Sequence, residues 1–383
     1  MDQTDAFARY RCEFPGMRPL RAFLIVALAA GLIWIAVDPF GRDMRGPAHR
    51  EKKIALSFDD VPRGPGAFYT PPQRARLLIE ALRAADVKQA AFFANPGRIG
   101  PSNDGAARID AYVAAGHVVG DHTFSHRTVA SLSAADFLAD VDKAESWLKG
   151  RPGYRPWLRF PGLNQGGRDI AKRHAVLDGL AQRGLKVAWV TADGSDWNME
   201  RLTTDAKKAG KPIDEAALRD LYVETMVQAA DLSDQVMRRT IGRSPAHVML
   251  LHETDLAARY IGDLVTALRN DGWEIITADQ AYADPVYQSY PELVAANATL
   301  PEALGWAKHV SGPLYYDRND MPVADRLFAD RVLHAGVTSP PAAPPTPLAA
   351  RRDACAVRYR TVRHATTSAP LQRDDICRSG TSA

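Results

Sequence analysis

The sequence predicts an α/β protein in which helices flank a parallel sheet. Short apolar runs alternate with amphipathic stretches from residue 53 to residue 277, and repeated strand and helix units of this kind form parallel sheets. The chain is 46% hydrophobic and 24% charged, which is typical of a globular protein. Such a sheet is either open or closed into a barrel, and in both cases active sites form at the carboxyl ends of the strands.

Each element follows from a local pattern in the sequence. Short runs rich in apolar residues predict strands over residues 53–61, 89–95, 117–122, 157–160, 186–191, 246–252 and 273–277. Helices are predicted over residues 72–85, 104–115, 133–149 (with Ser133 as the cap), 169–183 and 255–270. About fifty residues separate Trp197 from His247, and apolar residues at three- and four-residue spacing predict a long amphipathic helix there. Core packing is the expected role of that helix, and shaping a cleft is the alternative.

The two ends of the chain differ from the interior. Residues 1–21 form a basic region, and residues 22–37 are 16 consecutive residues without a charge. This length lies between the apolar core of a signal peptide and a membrane span. An uncleaved signal anchor is the preferred interpretation, because the small-residue site lies inside the apolar run; a cleaved signal peptide is the alternative. Met17 is an alternative start, and residues 38–51 form a polar linker.

The C-terminal residues 336–383 are rich in Pro and Arg, and we expect them to be disordered. From residue 340 onward, seven Arg and three Asp give +4, against +3 for the whole chain, so the basic character belongs to the tail. We expect no nucleic-acid partner; protein partners are left open. None of the three cysteines lies between residues 38 and 335, so that region holds no disulfide, and pairing of Cys355 with Cys377 stays open.

Residues suited to catalysis follow the predicted strands. Asp59 and Asp60 end the first strand, and consecutive side chains on a strand point to opposite faces, so the two carboxylates are expected to serve different tasks. His122 and His126 stand four apart, which on a helical turn places both imidazoles on one face and suits a metal ion. Further along come Arg159-Phe160-Pro161-Gly162, then Asp193-Gly194-Ser195-Asp196-Trp197, and then Leu250-Leu251-His252-Glu253-Thr254.

In this order, these segments resemble the five motifs of the polysaccharide deacetylase family, also called the NodB-homology or carbohydrate esterase family 4 domain. The resemblance covers about residues 50–285. It implies a distorted (β/α) barrel in a catalytic domain of residues 52–335, with the motifs within residues 53–285. It also implies a hydrolase that removes acetyl groups from an N- or O-acetylated glycan.

The resemblance assigns a role to each motif. Asp60, His122 and His126 are the implied metal ligands. Zinc is the default ion for two histidines and one carboxylate, and cobalt, nickel or iron remain admissible. Asp59 is the implied general base and Arg159 its partner. His252 is the implied general acid, held protonated by Asp196, and Trp197 walls the acyl pocket.

The third motif departs from the family pattern. Gly162 follows Pro161 directly, where the family usually has one residue between Pro and Gly. The backbone N–H that completes the oxyanion site is therefore expected from either Gly162 or Leu163. Asp193 is expected to serve either structure or substrate.

Two neighbours of His252 and a downstream segment are given other roles. Glu253 and Asp255 are expected to be surface or helix-cap residues. Residues 284–333 carry several aromatic side chains; packing is their expected use, and stacking on sugar rings is the alternative.

Two further functions stay open at this stage. The first is removal of formyl or acetyl from a lipid-linked amino sugar, which a membrane anchor makes reasonable. The second is a tethered glycan-binding protein without catalysis, although binding alone requires neither Asp59 nor His252. We expect the chain to be anchored in the membrane through residues 22–37 and to face the periplasm or cell exterior, or to be secreted if that segment is cleaved.

Overall fold

The computed structural model describes residues 52–100, 103–292 and 297–335. The expected membrane segment 22–37, the linker 38–51 and the tail 336–383 lie outside these residues. Within the described ranges, no helix is both long and apolar enough to cross a bilayer.

In the described part of the chain, eight strands, all paired in parallel, form one sheet. They are β1 (Lys52–Val61), β2 (Ala91–Ala94), β3 (Val118–Asp121), β4 (Tyr154–Leu158), β5 (Lys186–Val187), β6 (Ala192–Asp193), β7 (Ala246–His252) and β8 (Trp273–Ile275). Their order is β5-β4-β3-β2-β1-β7-β6, with β8 also paired to β1. Strand β1 is buried on both faces, as expected for the centre of a parallel sheet: Ile54, Leu56 and Phe58 pack into one apolar cluster and Ala55 into another. The predicted parallel α/β architecture is confirmed.

The strand predicted over residues 186–191 is wrong in detail. β5 pairs with β4 and β6 pairs with β7, so one short extended segment joins the two ends of the sheet order. Four residues separate β5 from β6 and span at most about 14 Å. The sheet therefore curves back on itself, as in a distorted barrel. An apolar run shows that a strand forms but not that it changes partner halfway, so the sequence could not reveal this closure.

Ten α-helices cover the sheet within the described residues. They are α1 (Pro71–Ala84), α2 (Gly105–Ala114), α3 (Ala134–Leu148), α4 (Ile170–Gln182), α5 (Asp196–Lys208), α6 (Glu215–Ile241), α7 (Asp255–Asn270), α8 (Ala278–Tyr282), α9 (Leu300–Ala307) and α10 (Met321–Arg331). Side-chain oxygens of Thr70, Ser133, Asp169 and Thr254 cap backbone N–H groups at the starts of α1, α3, α4 and α7. The long helix predicted between Trp197 and His247 is α6, and α9 and α10 pack against it.

Glu253 and Asp255 are fully buried, so their expected surface position is wrong. Arg108 Nη1 lies 2.9 Å from Glu253 Oε1, and Arg74 Nη1 lies 3.2 Å from Asp255 Oδ1. Glu253 Oε2 also accepts a hydrogen bond from the Arg63 N–H at 2.6 Å. The cations come from α1 and α2, far away in the sequence, and so they could not be inferred from the residues beside His252. Together these contacts fix the loop that follows β1.

We expect Arg74→Met to destabilise the fold by about 3 to 5 kcal/mol, because removing one partner leaves a buried carboxylate without its counter-charge. The matched control is Arg76→Met on the same helix. Arg76 is 62% exposed and pairs with Glu80, a contact worth about 1 kcal/mol or less. Chemical denaturation of both variants measures the difference. Equal stability of the two would contradict a structural role for the buried cluster.

Candidate active site

Asp59 and Asp60 lie at a bulge at the end of β1. Phe58 pairs with Phe92 and Val61 with Ala94, so three residue steps on β1 face two on β2. Asp60 has a φ of 70°, outside the extended region. The strict alternation expected from a strand is therefore wrong here, and both carboxylates line the same cleft.

His122 and His126 do not lie on a helical turn. His122 follows β3 directly, and the loop to His126 contains two residues with positive φ, Thr123 at 64° and His126 itself at 61°. The ring centroids are nevertheless 4.9 Å apart. His126 Nε2 lies 2.9 Å from Asp60 Oδ1. The spacing predicted the right pair of residues for the wrong local reason, since a tight loop brings the rings together.

Asp60, His122 and His126 form a group suited to a metal ion. Their ligand atoms lie within 4.8 Å of one another. Asp60 Oδ1 is buried and makes no well-aligned hydrogen bond among the described residues, despite its short contact with His126. Two histidines and one carboxylate are a ligand set of catalytic zinc sites that leaves positions open. The residues present therefore fit a divalent metal.

The tautomer of His122 suits a ligand. Its Nδ1 lies 2.9 Å from the Arg159 carbonyl oxygen, which can only accept, so Nδ1 carries the proton and Nε2 keeps a lone pair. Burial, and next the charge of His126, hold the pKa of His122 well below its ordinary value. This ring is therefore neutral near pH 7, as metal ligation requires.

The Asp60 carboxylate is ionised. Burial opposes its charge, but the short contact with His126 and the nearby charges of His252 and Arg98 outweigh burial and hold its pKa well below the usual range. Arg98 Nη1 also donates to the Asp60 carbonyl oxygen at 3.0 Å. The charged form needed for metal binding is thus present over the whole neutral range.

Asp59 and Arg159 form the expected ion pair. Arg159 Nη1 lies 3.0 Å from Asp59 Oδ1, and both side chains are buried. The guanidinium also donates to the Ala188 carbonyl at 2.5 Å and to the Tyr282 hydroxyl at 2.8 Å, so its position is fixed. Burial raises the pKa of Asp59 above its ordinary value, and the Arg159 charge limits that rise.

His252 and Asp196 form a second pair across the cleft. Asp196 Oδ1 accepts from His252 Nδ1 at 2.7 Å, and its Oδ2 accepts from the His252 backbone N–H at 2.9 Å. Burial disfavours the protonated ring, but the Asp196 charge and hydrogen bond outweigh burial and raise the pKa of His252. In the parallel register His252 lies opposite Asp59, so an acid and a base candidate flank the same space.

The third-motif loop is a tight turn. Gly162 and Leu163 both have positive φ, 58° and 55°, and both line the cleft, while Pro161 is buried. The Leu163 N–H donates to the Phe160 carbonyl at 2.9 Å. That donor is therefore already engaged within the turn.

The cleft has a volume of about 610 Å³. Trp197 lines it, as expected. Burial raises the pKa of Asp193 to about 6, and its Oδ1 accepts from the Ser195 N–H at 2.7 Å. Asp193 thus holds the fourth-motif turn and also lines the cleft.

Part of the cleft was not predicted as a site. Arg63 lines it beside Asp60, and one wall comes from residues 297–319. The residues of that wall that line the cleft are Asn297, Ala298, Thr299, Glu302, Trp306, Tyr315 and Asn319. Packing was the expected use of the aromatic residues in this stretch. The number of aromatic residues in this stretch is the only feature of the sequence that indicated a ligand-binding surface here.

Residues 46–189 match the family model described as polysaccharide deacetylase. A peptidoglycan-N-acetylglucosamine deacetylase of Bacillus cereus is 30% identical over 127 residues, 33% of this chain and 41% of the relative. A chitin deacetylase of Colletotrichum lindemuthianum is 32% identical over 117 residues, 29% of this chain and 42% of the relative. The chain thus spans about two fifths of the length of these curated relatives.

Solved structures were also found that are similar to this chain. A family 4 carbohydrate esterase from Streptomyces lividans is 20% identical, with a TM-score of 0.39, covering 58% of this chain and 91% of that one. The chitin deacetylase structure from Colletotrichum lindemuthianum is 20% identical, with a TM-score of 0.42, covering 60% and 86%. The family model matches the part of the sequence that carries the first three motifs, so this part of the chain is similar to the polysaccharide deacetylase family.

Proposed function

We propose that this chain is a metal-dependent hydrolase that removes acetyl groups from an N- or O-acetylated glycan outside the cytoplasm. The observation that carries the proposal is the convergence of the Asp60, His122 and His126 ligand group with two buried pairs, Asp59–Arg159 and His252–Asp196, around one cleft. The curated relatives are named as deacetylases of peptidoglycan N-acetylglucosamine and of chitin.

The residues divide the chemistry of amide hydrolysis among them. Asp60, His122 and His126 would hold a divalent ion, which when bound would lower the pKa of a water molecule and polarise the acetyl carbonyl; we expect zinc, with cobalt, nickel or iron as alternatives. Asp59 accepts the proton of the attacking water, and its carboxylate is kept in place by Arg159.

Oxyanion stabilisation is assigned to the third-motif turn. Because the Leu163 N–H donates to Phe160 within the turn, the Gly162 N–H is the better donor for the developing negative charge. Gly162 also offers no side chain that would narrow the cleft at this point.

His252 is assigned the protonation of the leaving nitrogen. Its raised pKa favours the protonated ring, and Asp196 fixes Nδ1, so Nε2 carries the transferable proton. Trp197 closes the cleft beside this pair and bounds the space for the acyl group.

We expect Asp196→Asn to move the basic limb of the pH–kcat/KM profile to lower pH. In the wild type, activity persists while His252 is protonated and falls as pH rises through its raised pKa. Without the Asp196 charge, the strongest influence that opposes burial is lost and only the weaker effects of Asp60 and Asp59 remain, so the pKa of His252 falls. Asp193→Asn is the control. Because Asp193 does not hydrogen-bond to the His252 ring, the basic limb of the pH profile should shift less in this variant. An unmoved limb in Asp196→Asn would exclude His252 as the acid.

Location and substrate complete the proposal. Residues 22–37 support a membrane anchor facing the periplasm or cell exterior, with secretion as the alternative. Two alternatives remain, and the experiment described next distinguishes them. The first is removal of formyl or acetyl from a lipid-linked amino sugar, and the second is binding without catalysis.

The test uses the full chain loaded with zinc or cobalt and a panel of peptidoglycan, chitin oligosaccharides, acetylated xylan and lipid-linked amino sugars. Acetate release from a glycan supports the proposal, whereas formate release supports the lipid-linked alternative. Binding without release of either acid would overturn catalysis.

A further inference from the structure

One side of the cleft is built by residues 297–319, which we name the C-terminal wall. This segment lies beyond the residues that match the family model and beyond all five motifs. It includes α9 and the loop that follows it, and it faces the motif residues across the cleft.

The C-terminal wall is tied to the motif loops at both ends. Asn297 Nδ2 donates to the Gly162 carbonyl at 2.7 Å. Asn319 Nδ2 donates to the Asp193 carbonyl at 2.9 Å, and its Oδ1 accepts from the Ser195 hydroxyl at 2.9 Å. The third and fourth motifs therefore hold the wall in a fixed position relative to the reacting groups.

Between these ties, the wall presents two aromatic rings and a carboxyl group to the cleft. Tyr315 is 49% exposed, although it is a large aromatic residue, and Trp306 lines the cleft near it. Glu302 is buried, and its Oε2 accepts from the Thr299 N–H at 2.7 Å. Among the described residues, neither Glu302 nor Asp193 is paired with a cation.

These groups suit a neutral, hydroxyl-rich ring. Aromatic faces bind the apolar face of a ring, and a few polar groups orient it. Burial raises the pKa of Asp193 to about 6 and that of Glu302 to about 7, so near neutral pH both are partly protonated and can donate as well as accept. The cleft of about 610 Å³ is also in the range that holds a whole small ligand rather than an acetyl group alone.

We propose that the C-terminal wall is a subsite for the sugar residue adjacent to the acetylated one, with Tyr315 and Trp306 against its ring and Glu302 and Asp193 bonded to its hydroxyls. This inference rests on the proposed function. It makes the wall a determinant of chain-length preference, so longer glycans bind more tightly than single sugars.

The test measures binding and turnover separately. Binding of N-acetylglucosamine and its β-1,4-linked tetramer is measured by calorimetry on the metal-loaded full chain carrying Asp59→Asn, with and without Tyr315→Ala. Tyr290→Ala is the matched control, since Tyr290 is 48% exposed but lies outside the cleft lining. Turnover of the tetramer and of p-nitrophenyl acetate is measured in the otherwise wild-type chain.

We expect Tyr315→Ala to weaken tetramer binding about tenfold, the loss of roughly one aromatic contact, and to raise KM for the tetramer similarly. Monomer binding, p-nitrophenyl acetate turnover and all Tyr290→Ala values should stay within about twofold. Unchanged tetramer binding in Tyr315→Ala, or equal losses for tetramer and monomer, would overturn the subsite. If the wild type binds the tetramer through Tyr315 but releases no acetate from it, the proposed function fails while the subsite stands.

Discussion

Replacing Asp59 by Asn is expected to lower kcat for acetate release by about 10²- to 10⁴-fold, the usual contribution of a positioned general base. Asn has nearly the same shape as Asp, and its amide oxygen can still accept the Arg159 hydrogen bond. An amide cannot take a proton from water near neutral pH, so the loss should appear in kcat. Metal content, measured by plasma mass spectrometry, should stay at the wild-type level because Asp59 is outside the ligand group.

The control for Asp59→Asn is Asp279→Asn. Asp279 also pairs with an arginine, Arg155, through two oxygens at 2.7 and 2.8 Å, but it lies outside the cleft lining. We expect its kcat to stay within about twofold of the wild type, as for other surface pairs. Full activity of Asp59→Asn with normal metal content would exclude the base role. Loss of metal in that variant would instead make Asp59 a ligand.

Local patterns in the sequence predicted most of the elements and the chemistry of the site. Strand β7 and helix α7 begin and end where their apolar periodicities predict, since those patterns involve neighbouring residues only. The motif residues lie at strand ends because parallel strands deliver their carboxyl ends to one edge of the sheet. Asp59, His122 and His252 could therefore be placed in one cleft before their distances were known.

The features that the sequence did not predict depend on distant contacts or backbone irregularities. The bulge that turns Asp60 into the cleft requires β2 as its partner. The burial of Glu253 and Asp255 requires arginines from two other helices. The C-terminal wall requires asparagine contacts to loops more than a hundred residues away. None of these partners is visible from local composition, because each lies far away in the sequence.

His122→Ala should abolish metal binding at micromolar metal and with it all turnover. Removing a ligand should cost more than the 10- to 100-fold in affinity typical for a group that only supports one. His122 is also the ligand whose orientation is most tightly fixed, because Nδ1 donates to the Arg159 carbonyl and the ring is buried. Calorimetric titration of the metal-free full chain with zinc measures the affinity directly.

The control for this variant is His174→Ala, because His174 is exposed and pairs only with Glu292 among the described residues. Its zinc affinity and activity should match the wild type. Together, the two central variants separate catalysis from metal binding. Asp59→Asn is expected to keep the metal and lose turnover, whereas His122→Ala is expected to lose both. The Arg159 carbonyl orients His122 and its guanidinium holds Asp59, so Arg159 connects the ligand group to the base. Retention of metal in Asp59→Asn would show that the two functions can nevertheless be separated.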